Sequence, residues 1–266
     1  MRVDVGGDSI FVGTGGLEWP ETGPWVVLLH GAGSDHTVWA LQARTFAQAG
    51  ARVIAPDLPG HGRSTGNTVV DSVDGFADWL GQLLGALGVD EPVDLVGHSM
   101  GSCVALSFAA SHPDQVRRLT LIGAGEAMPV NDGLLDDTLS KPERAHRFIA
   151  AFGHGRGAQF GRAATPGSWN VGSTIAQLER CEPKVLNADF CACNAWTSEG
   201  LAEKVKCPVT VISGSEDKMT PTRTGKALCA RFGNSRFVRL EGIGHMLMAE
   251  APDEVSRELV GVSRAA

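Results

Sequence analysis

Apolar residues along this chain follow two alternating rhythms. Short, nearly continuous apolar runs are separated by longer stretches in which apolar positions recur three and four residues apart. The short runs predict strands at residues 2–5, 9–12, 25–29, 52–55, 93–96, 119–122, 209–212 and 237–240. From the third onward they are apolar almost throughout, as strands buried on both faces are. The first two flank Gly6-Gly7-Asp8 and predict an antiparallel hairpin.

Helices fill the gaps. Residues 71–87 place Val73, Phe76, Leu80, Leu83, Leu84 and Leu87 on one face, and Gly88 follows as a C-terminal cap. Residues 102–111 are small and apolar and stop before Pro113, while Pro252, Asp253 and Glu254 open a last helix. Between Ile122 and Pro208 the rhythm changes, with no strand signal and helical patterns at 142–152 and 174–196. Gly153, Gly155, Gly157, Gly161, Gly167 and Gly172 connect them. The expected architecture is α/β: a mostly parallel eight-stranded sheet flanked by helices, formed by residues 1–125 and 200–266. Residues 126–199 are expected to form a helical cap over the carboxyl ends of the strands.

Composition narrows the possible chemistry. A net charge of -7 excludes a broad basic surface for nucleic acid, and Arg117-Arg118 reads as a solvated turn between helix and strand. Tyrosine is absent, so no phenol can act as acid or oxyanion donor. Six cysteines include no CxxC pair, and Cys191-Ala-Cys193 is too tight for a zinc knuckle, so no metal is expected. No apolar run reaches membrane-spanning length and no leader-like run follows Met1. The expectation is a cytoplasmic protein with reduced thiols and no membrane partner.

Gly97-His98-Ser99-Met100-Gly101 is a GxSxG sequence directly after a predicted strand and before an apolar helix. That strand–turn–helix setting projects the serine above a sheet, at the positive end of a helix dipole. A charge developing on a substrate oxygen there needs fixed N–H donors. One is expected from Met100, the residue after the serine. The other is expected from the loop His30-Gly31-Ala32-Gly33, from Ala32 or alternatively Gly33. His30 is assigned to holding loop backbone.

A serine hydroxyl is inert without a base in hydrogen-bond reach. Of the eight histidines, His245 sits on a glycine-bearing loop between the final strand and the final helix. His98 lies inside the elbow, where its ring is expected to point away from the hydroxyl. Asp217, in the loop after the strand at 209–212, is expected to orient His245, with Glu126 as a rival. Glu216 is expected to face solvent or Lys218.

These motifs resemble the α/β-hydrolase superfamily over nearly the whole chain. The carriers are His30-Gly31-Ala32-Gly33, Asp57-Leu58-Pro59-Gly60-His61-Gly62-Arg63-Ser64, Gly97-His98-Ser99-Met100-Gly101, Gly214-Ser215-Glu216-Asp217 and Gly242-Ile243-Gly244-His245. The 57–64 loop is similar to the family's structural turn. His30 to Trp39 is similar to the matching loop of small carboxylesterases, enol-lactonases and cofactor-free haloperoxidase-like enzymes. Ser34 stands where carbon–carbon bond hydrolases of the family often carry proline. Ser99 argues against epoxide hydrolases and haloalkane dehalogenases, which have aspartate at the elbow.

The resemblance implies acyl transfer to Ser99 without cofactor or metal, on a small or medium ester, thioester or lactone. Trp39, Met128, Phe148, Phe152 and Met246 are candidates for an apolar substrate pocket. The alternatives on the same triad are carbon–carbon bond hydrolysis, haloperoxidase-like chemistry, and a slow-turnover, receptor-like ligand binder.

Overall fold

A computed structural model describes residues 1–264, except residues 69 and 166. The strands are β1 (Arg2–Val5), β2 (Asp8–Gly13), β3 (Trp25–Leu29), β4 (Arg52–Pro56), β5 (Val93–His98), β6 (Val116–Ile122), β7 (Val209–Gly214) and β8 (Ser235–Leu240). They form one sheet in the order β1-β2-β4-β3-β5-β6-β7-β8. β1 and β2 form the hairpin, β2 runs antiparallel to β4, and every later pairing is parallel.

Helices α1 (Ala40–Gln48), α2 (Val73–Ala86) and α3 (Met100–Ser111) belong to the first half of the sheet. Then α4 (Asp132–Ser140), α5 (Pro142–Gly153), α6 (Arg156–Gln159), α7 (Asn170–Leu178) and α8 (Pro183–Ala195) follow without an intervening strand. Finally come α9 (Thr222–Cys229), α10 (Leu247–Glu250) and α11 (Pro252–Arg264). Among the described residues no helix is long and apolar enough to cross a membrane.

The two-residue period of the buried strands feeds two cores. Val27, Leu29, Leu95 and Leu121 pack with Phe76, Leu80 and Leu83 of α2 and Val104 and Phe108 of α3. Val26, Leu28, Val96 and Ile122 turn the other way, onto Ala43 and Phe46 of α1 and Val255 and Leu259 of α11. The segment between β6 and β7 closes at its base, where Ala127 bridges Thr197 and the Ser198 N–H donates to the Glu126 carbonyl at 2.8 Å.

Two expectations need correction here. Residues 174–196 do not form one helix. α7 ends at Leu178, and Pro183 at the start of α8 has no N–H with which to continue a helix. Arg117 and Arg118 lie within β6, not in a solvated turn. Arg117 clasps Asp94 of β5 through Nε and Nη2 at 2.9 and 2.7 Å, so the basic pair stitches neighbouring strands together.

Candidate active site

β3, β5, β6, β7 and β8 are parallel neighbours, so the loops leaving their carboxyl ends lie side by side. At the end of β5 the chain turns into α3 through Ser99, whose φ of 53° and ψ of -120° make it the one described non-glycine residue with positive φ. The turn leaves no room around it. A Cβ on Gly97 would lie 2.1 Å from the Gly101 carbonyl oxygen, and one on Gly101 would lie 2.4 Å from that of Leu29. The Ser99 N–H donates to the Ile122 carbonyl at 2.9 Å, pinning the elbow to β6. Strain held in place this way marks sites where geometry matters more than comfort.

His245 and Asp217 come together from loops after β8 and β7. His245 Nδ1 lies 2.8 Å from Asp217 Oδ2, with both side chains buried. The other Asp217 oxygen, Oδ1, accepts the Met219 and Thr220 N–H groups at 2.9 and 2.8 Å, and Oδ2 also accepts the Thr220 hydroxyl at 2.7 Å. Burial pushes the Asp217 carboxyl up, but the His245 charge and these hydrogen bonds outweigh it and hold it below the usual value. A carboxylate on Nδ1 fixes the proton there, so the basic nitrogen of His245 is Nε2. That atom is buried and has no hydrogen-bond partner among the described residues, which leaves its lone pair free to take a proton.

His98 does not address the serine. Its Nε2 donates to the His245 carbonyl at 2.9 Å. Burial, then the neighbouring His245, pulls its pKa down to about 3 and keeps it neutral. Sequence reasoning missed this positioning role, and it missed Thr220 and Gly123 as well. Gly123, just past β6, has φ +60°, and a Cβ there would meet His245 Cε1 at 2.9 Å and Nδ1 at 3.0 Å. Gly123→Ala is expected to displace the imidazole and cut kcat roughly a hundredfold, the scale of an ångström's misplacement. Steady-state kinetics with a melting curve check this.

The loop after β3 turns through a Ser34 N–H bond to the Gly31 carbonyl at 3.2 Å. The Gly33 N–H is occupied by Asp189 Oδ2 of α8 at 2.8 Å, so of the two candidate donors Ala32 is the one left for a substrate oxygen. Met100 is the first residue of α3, and its N–H has no partner within the helix. His30 does hold backbone. Its Nε2 accepts the Leu58 N–H at 3.1 Å, and its Nδ1 faces the Gly31 carbonyl at 2.9 Å.

Several other candidates lie elsewhere. Glu126 is exposed at the base of the helical segment, away from His245's acid position. Glu216 is half-buried and partly open to solvent, as expected, and its carboxylate also accepts the Arg156 N–H at 2.6 Å. Trp39 is fully buried in the core beneath α1, and Met128 packs in the opposite core with Trp196. Phe148 and Phe152 stack on the outer face of α5, both about two-fifths exposed. Met246 lines a groove of about 520 Å³, with Met248, Ala249, Asn170, Gln177 and Arg180.

One described cluster has ligand atoms close enough for a metal: Asp35, His36 and Asp57, within 4.8 Å. Its oxygens are already engaged. Asp57 accepts the His36 N–H and Nδ1 and the Arg63 N–H, each at 2.7 Å. Asp35 accepts the Thr37 N–H, Gln177 and Arg180. The cluster locks the 57–64 turn to the loop before α1.

A strained serine at a strand–helix elbow, with a buried histidine–carboxylate pair on two later loops of a parallel sheet, defines one class of protein. The family model for the alpha/beta hydrolase fold matches residues 24–252, and the chain belongs to that family. A pimeloyl-(acyl-carrier protein) methyl ester esterase from Aromatoleum aromaticum is 30% identical over 253 residues, covering 87% of this chain and 94% of the relative. One of the same name from Neisseria meningitidis is 32% identical over 233 residues, covering 85% of this chain and 87% of the relative. Among solved structures, the enol-lactonase from Burkholderia xenovorans shares the fold with a TM-score of 0.88 at 20% identity, covering 99% of this chain and 100% of that one.

Proposed function

We propose that this protein is a serine hydrolase of carboxylic esters, with Ser99 as nucleophile, His245 as base and Asp217 as its orienting carboxylate. The observation that carries this is the buried Asp217–His245 bond, which leaves His245 Nε2 unpartnered, in a chain whose Ser99 is held at positive φ in a strand–helix elbow. Ser99 Oγ attacks the carbonyl carbon as its proton passes to Nε2. The negative oxygen takes hydrogen bonds from the Ala32 and Met100 N–H groups. Collapse expels the alcohol, which leaves with the proton from Nε2. Water then gives its proton to Nε2, attacks the acyl-enzyme and releases acid and Ser99.

Relatives at 30% and 32% identity are named as ester esterases, which supports an ester over the carbon–carbon, haloperoxidase-like and receptor-like alternatives. The substrate is a small or medium carboxylic ester, thioester or lactone, and neither step calls for a metal or cofactor. Residues 126–199 act as a cap. This is supported by anchoring at the site itself: the Gly153 carbonyl accepts the His245 and Met246 N–H groups at 2.9 and 3.0 Å. Glu250 Oε2 joins the same junction by accepting from Gly155 and Gly244.

p-Nitrophenyl esters from acetate to octanoate test the proposal. Turnover undiminished by a chelator is expected, with a chain-length optimum that sizes the pocket. A well-folded protein that turns over none of them contradicts it.

A further inference from the structure

The helical segment reaches the oxyanion loop through a side chain that acyl transfer does not use. Asp189 on α8 is 1% exposed, and its Oδ2 holds the Gly33 N–H at 2.8 Å. The same oxygen lies 2.8 Å from Nε2 of His61, whose Nδ1 lies 2.9 Å from the Pro59 carbonyl. A carbonyl can only accept, so Nδ1 carries a proton. Nε2 against a carboxylate calls for a second, and the ring meets both contacts as an imidazolium. The other titratable groups that face the pair are Asp57, in the same loop, His30, whose ring centroid lies 5.0 Å from that of His61, and the Cys181 and Cys193 thiols. Burial and then the Asp189 charge push both thiols up and so keep them neutral. His30 accepts from Leu58 and is therefore neutral. Burial works against the His61 charge, but Asp189, the Pro59 carbonyl and Asp57 outweigh it and raise its proton affinity above the ordinary value.

We infer that the His61–Asp189 ion pair positions the oxyanion hole: it fixes the Gly33 amide, and with it the adjacent Ala32 N–H, and makes that geometry depend on α8 being seated against the core. This rests on Ser99 and Ala32 acting as proposed above. A buried carboxylate without a countercharge is driven toward solvent, so His61 is what retains Asp189. Both are positioning residues, and neither need touch the substrate. Because the contribution belongs to charged His61, it is complete at low pH and is lost as pH rises through the raised folded value.

Asp189→Asn is expected to lower kcat on p-nitrophenyl esters about tenfold to a hundredfold, less than the loss of an oxyanion donor outright. KM should stay nearly constant, since the oxyanion contact matures only in the transition state. The wild type should show an alkaline fall in kcat that the variant lacks. A second measurement needs no variant to fold or turn over: the ¹⁵N spectrum of the wild-type histidine rings near neutral pH, with His61→Gln used for assignment. Two protonated nitrogens on His61 are expected. A neutral His61, with the shared proton on Asp189, overturns the inference. So does a folded Asp189→Asn enzyme with unchanged kcat and an unchanged alkaline limb. An inactive wild type with charged His61 would count against the Ser99 assignment and leave the ion pair standing.

Discussion

Ser99→Ala is expected to lower kcat for ester hydrolysis by about a millionfold, the scale found when a triad nucleophile is removed. What remains should be the modest acceleration that an oxyanion hole and binding provide. The fold should survive, because the elbow is held by backbone: Ser99 N–H to the Ile122 carbonyl, and Ser102 N–H to the Ser99 carbonyl at 2.8 Å. Ser99→Gly should be equally inactive yet stabilised by about 1 kcal/mol, since glycine reaches a φ of 53° without the penalty. Parallel kinetics and melting curves separate the two effects. An alanine variant with appreciable turnover would assign the nucleophile elsewhere.

Asp217→Asn is the second large effect, expected at about ten-thousandfold in kcat. Every partner of this carboxylate is a donor: two loop N–H groups on Oδ1, and the Thr220 hydroxyl and His245 Nδ1 on Oδ2. An amide offers one acceptor oxygen and one NH₂, so a donor must face a donor or the imidazole must switch tautomer. Switching puts the proton on Nε2, where it cannot accept one from Ser99. The carboxyl of Asp217 is held below its usual value, so its stabilising contribution is present above the ordinary carboxylate pKa of about 3.9. It is lost as pH falls through the depressed folded value, and the asparagine variant should show less of that acid loss in melting temperature.

The central strands β3 to β7 were legible because they are mostly buried on both faces and therefore largely apolar. α1 and α9 were not, since short helices such as Ala-Leu-Gln-Ala-Arg-Thr-Phe-Ala-Gln and Thr-Arg-Thr-Gly-Lys-Ala-Leu-Cys mix small and polar residues with few apolar ones. Ser99, Asp217 and His245 were proposed from local motifs and chain order, and the structure pairs the last two. The residues that support them could not. His98 meets the His245 carbonyl across 147 positions, and Asp189 meets Gly33 across 156. Nothing local to either residue announces those contacts. The pocket candidates were less legible for a related reason: an aromatic or methionine looks the same in sequence whether it lines a groove, as Met246 does, or packs in a core, as Trp39 and Met128 do.

The most direct measurement is covalent trapping with a fluorophosphonate ester, read by intact mass and then by peptide mapping. One adduct per chain is predicted, on the peptide carrying Ser99, formed rapidly by the wild type and not at all by Ser99→Ala. An adduct on any other residue, or a folded wild type that remains unlabelled, would contradict Ser99 as the nucleophile of this hydrolase.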